Sequence, residues 1–339
     1  MKKFNFAVVG ALGNVGEEVL KILEDSDIPI ENLKLMDIGD NIGKKIFWRQ
    51  KEYKVIESKP DEFFGIELAI MSAGSEASKE LSPKAIEQGC VIIDNSTAFR
   101  MSDKHPLVIP EVNADELLKH NGIIANPNCS TIQMLVVLSP IHKKYKIERV
   151  IVSTYQAVSG SGIAGINELK RQINDFSVGG TSLPSVYPHQ IAFNVIPHID
   201  SFLENGYTKE EMKMILETAK ILDPEIKLTA TTVRVPVITS HSESINIQTK
   251  KKFQIDDIKK LLVNSPGIEM EDNPKKNVYP TSLNSSGKNS VFIGRIRQDF
   301  SAKNAMNLWC VSDNLRKGAA LNAVQIAQEL IRRNLVRVP

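Results

Sequence analysis

Cysteine, net charge and long apolar runs are all scarce in this sequence, and each shortage removes a class of function. Only three cysteines occur among 339 residues. Cys90, Cys129 and Cys310 are too few for a disulfide framework, and no CxxC pair offers zinc-ligand spacing, so a reducing compartment and no metal are expected. The 42 basic side chains against 40 acidic ones give a net charge of +2, without the basic excess that a nucleic-acid partner requires. Lys143-Lys144 and Lys250-Lys251-Lys252 are short clusters and read as solvated surface. No apolar run approaches the ~20 residues needed to cross a bilayer. After Lys2-Lys3 the apolar stretch from Phe4 to Val9 is broken by Gly10, Gly13 and Asn14, well short of a signal-peptide core. The expectation is a cytoplasmic protein with neither membrane nor nucleic-acid partner.

What is present is the composition of a globular chain, 42% apolar and 24% charged, with length enough for two domains. Asn5 to Val9 reads as a buried strand, followed by Gly10-Ala11-Leu12-Gly13-Asn14-Val15-Gly16 and then Val15, Val19, Ile22 and Leu23 at helical spacing. A glycine-rich turn between strand and helix offers backbone N–H groups at a positive helix end, which suits a pyrophosphate. Leu33 to Met36 is a second strand ending near Asp37, where such folds hold the adenosine ribose. Leu68 to Met71 and Val91 to Asp94 are further strands, and the segment from Ser82 to Gln88, with Pro83 in its first turn, is a helix candidate. The class is therefore α/β, with a doubly wound dinucleotide-binding sheet.

Beyond that region Arg149 to Tyr155, Lys227 to Val237, Ser244 to Thr249 and Asn307 to Val311 suggest an α+β domain with a mostly antiparallel or mixed sheet. The segment from Asn264 to Ser290 reads as irregular and exposed, and a last helix runs from about Asn314 to Arg332. The expected division is 1–128 with 315–339 for the dinucleotide-binding domain, and 129–314 for catalysis and dimerisation.

Asn126-Pro127-Asn128-Cys129-Ser130-Thr131-Ile132-Gln133 is the most informative stretch. Ser130 and Gln133 fit a capping box, which predicts a helix starting there with Cys129 just outside its N-terminus. Helix N–H groups and a nearby imidazolium lower a thiol's pKa, and the same N–H groups hold the oxyanion formed when sulfur adds to a carbonyl. His241 lies in a strand ending in a polar turn, and Arg234 falls on the face opposite Val233 and Val235, where a guanidinium can clamp a carboxylate. Cys90 and Cys310 read as core residues.

Five blocks together resemble the aspartate-semialdehyde dehydrogenase family, in family order and over nearly the whole chain. They are Asn126 to Thr131, Ser153-Thr154-Tyr155-Gln156-Ala157-Val158-Ser159-Gly160, Phe193 to Pro197, Arg234 to Glu243, and Asp313 to Ala320. The resemblance implies that Cys129 is the nucleophile, forming an acyl-enzyme thioester, and that His241 is the acid/base. It implies that Gln156 positions the substrate, that Arg234 binds its α-carboxylate and Glu210 its ammonium, and that Arg100 and Lys213 bind phosphate. Gly10, Leu12, Gly13, Asn14, Val15, Gly16, Asp40, Asn41, Ser159, Gly160 and Asn314 match its cofactor contacts. The implied reaction is reversible reductive dephosphorylation of 4-phospho-aspartate to the semialdehyde with NADP, in a homodimer. In amino-acid biosynthesis this feeds lysine (by way of diaminopimelate), threonine and methionine.

The sequence departs from the family at the adenosine end. Aligning Gly43-Lys44-Lys45 with the family's Gly-Lys block puts Asp40-Asn41 where Arg-Ser commonly grips the 2′-phosphate. An acid there disfavours that phosphate and Asp37 suits free ribose hydroxyls, so appreciable use of NAD is expected, with Lys44 or Lys45 as substitute cations. Ala219 stands where an arginine is usual. Two other readings compete: an N-acetyl-glutamyl-phosphate reductase, which needs no Glu210 for a free ammonium, and a catalytically silent nucleotide-sensing module, which has no use for Cys129, Gln156, Arg234 and His241 together.

Overall fold

Strand β1 (Phe4–Val9) sends Phe6 and Val8 to one side and Ala7 and Val9 to the other, and both sides are buried. A strand apolar on both faces belongs inside a parallel sheet covered by helices. The computed structural model, which describes residues 2–338, has that arrangement. The first of its two units comprises residues 1–127 and 319–339, the second 128–318.

In the first unit β1 is followed by α1 (Asn14–Asp25), β2 (Ile30–Asp37), the hairpin of β3 (Lys45–Trp48) and β4 (Lys51–Lys54), and the short β5 (Ile56–Glu57). Then come β6 (Leu68–Met71), α2 (Ser75–Glu87), β7 (Val91–Asp94), α3 (Pro110–Asn113) and β8 (Ile123–Ala125). The sheet order is β5-β2-β1-β6-β7-β8, parallel throughout. Strand order reverses beside β1, and the glycine turn leaves its carboxyl end, which is where open α/β sheets take their ligands.

Helix α2 corrects the sequence reading. It begins at Ser75, so Pro83 lies inside it rather than in its first turn. Proline there removes the bond to the carbonyl of Lys79. Both residues lie on the exposed side, where water can take up that carbonyl.

The second unit contains α4 (Cys129–Tyr145), β9 (Ile147–Gln156), α5 (Gly162–Ser177), α6 (Lys209–Ile221), β10 (Lys227–Arg234) and β11 (His241–Thr249). It continues with α7 (Ile255–Val263), β12 (Ile268–Met270), α8 (Ser282–Ser285), β13 (Val291–Gln298) and β14 (Ala305–Ser312). Its sheet runs β10-β9-β11-β14-β13-β12 and is mixed: the central pairs are antiparallel, while β10 with β9 and β12 with β13 are parallel. Strand β12 lies within 264–290, a stretch expected to be irregular. Only three residues long, it carries too little alternation to be read locally.

The expected C-terminal helix is two elements. Asp313 Oδ1 accepts the N–H groups of Leu315 and Arg316, Arg316–Ala320 forms a π-helical turn, and α9 (Leu321–Arg332) packs within the first unit. Such turns insert a residue without breaking the helix and recur at functional positions. Among the described residues no helix is long and apolar enough to cross a membrane.

Candidate active site

Cys129 is the first residue of α4, and Asn128 is its cap: Asn128 Oδ1 accepts the N–H groups of Ser130 at 3.0 Å and Thr131 at 3.2 Å. The capping box expected from Ser130 and Gln133 does not form, and Ser130 Oγ has no hydrogen-bond partner. Asn128, two positions earlier, takes the cap and accepts the first-turn N–H groups of Ser130 and Thr131, so the helix starts sooner and draws the sulfur into its first turn. Cys129 is half-buried, whereas Cys90 and Cys310 are fully buried and their thiols are pushed up by burial.

Asn128 also gathers the carboxylates. Its Nδ2 donates to Glu210 Oε1 at 2.9 Å, and its backbone N–H donates to Glu217 Oε2 at 2.7 Å. Gln156 Nε2, at the end of β9, donates to Glu210 Oε1 at 3.2 Å, and Lys213 Nζ lies 3.1 Å from Glu210 Oε2. Burial opposes the charge on Glu210, but Lys213, Asn128 and Gln156 outweigh it and hold the carboxyl below its ordinary range. Lys213 lies between Glu210 and Asp200, the latter at 2.8 Å, so it is part of a charged triad and not an exposed i,i+3 pair.

Arg234 ends β10 on the buried side, its Nη1 donating to Ala157 O at 2.6 Å and its guanidinium carbon 5.9 Å from the Tyr187 ring centroid. It interacts electrostatically with both Glu210 and Cys129. His241 begins β11 instead of ending a strand, because the chain turns between Arg234 and His241. Its Nδ1 accepts the Ala157 N–H at 3.0 Å, which places the proton of the neutral ring on Nε2. Nε2 itself is buried without a partner. Burial first, and the Arg234 charge second, hold this imidazole well below its ordinary pKa. A Cβ on Gly160 would come within 2.9 Å of Arg234 Nη1 and 3.4 Å of His241 Nε2, so the glycine keeps the space beside both open. Ser159 Oγ and Asn314 are hydrogen-bonded, with Asn314 Nδ2 2.9 Å from Ser159 Oγ.

Cys129, Gln156, Glu210, Lys213, Arg234 and His241 thus belong to one unit, joined by these contacts. Arg100 and the glycine turn belong to the other. Arg100 is buried, with Nη2 donating to Asn95 O at 3.0 Å. In the turn, Gly10 (φ +78°) and Gly16 have no room for a side chain, since an added Cβ would meet Ser72 O at 2.5 Å and Gly10 O at 2.1 Å. Gly13, the α1 cap, is open except for Gly10 O at 3.5 Å. Tight packing at two glycines with access at the third fits a pyrophosphate on the helix end.

Asp37 is buried, Oδ2 accepts the Leu12 N–H at 2.9 Å and Oδ1 the Ile38 N–H at 2.8 Å, so it braces the glycine turn. Asp40 and Asn41 lie in an exposed single turn, Gly39–Asn41, with Lys44 Nζ donating to Asn41 Oδ1 at 2.7 Å. Lys45 is paired with Glu52 at 2.7 Å. Glu217 and Asp200 escaped the sequence reading. The capping box of α6, Thr208 with Glu211, was a legible local signal that would have placed Glu210 and Glu217 on one helix.

Two family models match the chain: "Semialdehyde dehydrogenase, NAD binding domain" over residues 5–120 and "Semialdehyde dehydrogenase, dimerisation domain" over residues 138–317. The aspartate-semialdehyde dehydrogenases of Bacillus subtilis (strain 168) and Aquifex aeolicus (strain VF5) are each 48% identical to it, covering 97% and 98% of the chain and 98% and 99% of their own length. The crystal structure of aspartate semialdehyde dehydrogenase II from Vibrio cholerae, complexed with ASA, superposes with a TM-score of 0.96 at 43% identity, over 98% of this chain and 99% of that one.

Proposed function

The chain belongs to the aspartate-semialdehyde dehydrogenase family of oxidoreductases, and on that premise we propose that it converts L-4-aspartyl phosphate reversibly to the semialdehyde and phosphate through a Cys129 thioester. The observation that carries this reading is Cys129 in the first turn of α4, in electrostatic range of Arg234, with the Glu210 group built onto the adjoining residue.

The Cys129 thiolate attacks the acyl carbon, the S–C bond forms, and the C–O bond to phosphate breaks. Arg234 takes the α-carboxylate, Glu210 with Gln156 takes the ammonium and orients the chain, and Lys213 and Arg100 receive phosphate. Gly10 to Gly16, Ser159, Gly160 and Asn314 would hold the dinucleotide, which when bound would supply the hydride for reducing the thioester. His241 turns its Nε2–H toward the alkoxide oxygen of the tetrahedral adduct and holds it by a hydrogen bond, and as that oxygen re-forms the carbonyl the C–S bond breaks and the thiolate leaves. A positioned acid/base contributes about 10²–10⁴-fold. Burial is the larger cause of the depressed His241 pKa and the Arg234 charge the smaller, so pairing Arg234 with a substrate carboxylate relieves the second and moves the ring upward.

NADP is the cofactor, with Lys44 as the cation for the 2′-phosphate because Lys45 is held by Glu52. Asp40 weakens that preference and permits appreciable use of NAD. The enzyme acts as a cytoplasmic homodimer; Tyr155, partly exposed, and Trp309, 5.5 Å away between ring centroids, form an aromatic patch on the second-unit sheet. The test is phosphate-dependent reduction of NADP and NAD with aspartate semialdehyde. Cys129→Ala abolishes turnover while dinucleotide binding persists, and substantial residual activity in that variant rejects the covalent route. A preference for NADP above about 100-fold in kcat/KM rejects relaxed cofactor use. Offering N-acetyl-glutamate semialdehyde in parallel tests the rival substrate, and its faster oxidation overturns the assignment.

A further inference from the structure

Glu243 is a fully buried carboxyl to which no role has been given. Strand alternation puts it on the same side of β11 as His241, the side covered by α4. Its neighbours across the sheet are Thr154 on β9 and Cys310 on β14. Neither carboxyl oxygen has a hydrogen-bond partner. The polar side chain that acts on it is Gln133, from the second turn of α4. Gln133 is itself half satisfied: Nε2 donates to the His241 carbonyl at 3.4 Å, while Oε1 is buried without a donor.

An ionised carboxylate at such a place has no cation beside it and at most the Gln133 amide to favour it, which burial outweighs, so the charge costs far more than a neutral group does. A carboxylic acid has one O–H to give, and the orphan Gln133 Oε1 is the acceptor that matches it. One proton resolves both unsatisfied groups. We propose that Glu243 is a positioning residue that works as a neutral acid, donating to Gln133 Oε1 and thereby fixing the amide that ties His241 to the helix carrying Cys129. Burial pushes the Glu243 carboxyl well above its ordinary range. The titratable groups around it are Cys310, whose thiol burial and then Glu243 push up, and His241 two residues along the strand; Gln133 and Thr154 carry no charge.

The proposal rests on the Cys129–His241 reading for its catalytic consequence, but its central claim is tested without turnover. Infrared difference spectra of wild type against Glu243→Gln at neutral pH are expected to contain a protonated-carboxyl C=O stretch belonging to wild type. Its replacement by a carboxylate band overturns the proposal. The unfolded chain releases the Glu243 proton above about pH 4.3 while the folded chain keeps it, so wild type loses stability relative to Glu243→Gln as pH rises from about 5 to about 8. The melting temperature of wild type minus that of Glu243→Gln therefore falls as pH rises, and a constant or rising difference overturns the proposal. In turnover, Glu243→Leu is expected to lower kcat by about tenfold or more with the dinucleotide KM unchanged, and Glu243→Gln to recover most of it. A Gln variant as impaired as Leu overturns the neutral-acid role, and should the Leu variant fail to fold, the spectroscopic and pH comparisons decide.

Discussion

Asn128 and Glu210, 82 residues apart, are joined by a 2.9 Å hydrogen bond from the amide that also caps the helix beginning at Cys129. One side chain therefore sets both where Cys129 sits and where Glu210, the group proposed to receive the substrate ammonium, is held. Asn128→Ala is expected to cost about 1 kcal/mol of stability as a lost cap. Asn128→Asp keeps the cap but faces Glu210 with a second negative charge, so its kcat/KM falls further than that of the alanine variant. Paired thermal melts and kinetics check this, and an aspartate variant as active as wild type removes the Asn128–Glu210 link from the mechanism.

Gly318 packs on Cys129: an added Cβ would lie 2.9 Å from Cys129 Cβ. Gly318→Ala must displace the thiol, and misplacement on that scale costs about 10²-fold in rate. The expectation is a fall in kcat with little change in dinucleotide affinity. Alkylation by iodoacetamide gives a second readout, since Cys129 alone among the three thiols is accessible and its labelling rate changes in the variant.

His241 titrates below the ordinary imidazole value in the free protein because of burial and the Arg234 charge. The unfolded chain binds that proton near pH 6.5 and the folded chain does not, so stability from this residue is lost as pH falls below about 6.5. Removing the cation in Arg234→Met raises the His241 pKa, measurable by NMR of the imidazole. No movement of the resonance in that variant leaves burial as the whole cause.

Lys44, the cation proposed for the 2′-phosphate, reaches Asn41 at 2.7 Å. Lys44→Ala is expected to raise the NADPH KM by about tenfold and leave the NADH KM unchanged, as loss of one charge-assisted phosphate contact implies. Equal effects on the two cofactors assign Lys44 to the surface.

Residue pattern alone carried much of this fold. Leu68–Met71 and Val91–Asp94 begin and end where their apolar runs do, because strands buried on both faces leave an uninterrupted signal. Helix α2 was missed at its start because a proline that usually opens helices sits within it, on the solvent side. The site residues were legible as motifs, but their partners were not: Glu217, Asp200 and Gln133 are ordinary residues until the chain folds them against Asn128, Lys213 and His241.

The sequence by itself determined the chemistry on offer: one thiol in a polar turn, an imidazole, an arginine on a strand face, and glycines between strand and helix. These follow from residue type and short-range spacing. Tertiary structure decided what state those groups are in. Asp37 holds the Leu12 N–H, the His241 proton is put on Nε2 by the Ala157 N–H, and Glu243 is buried with no charged group to balance it. Protonation and hydrogen-bond commitment depend on burial and on neighbours distant in the chain, and no local pattern encodes either.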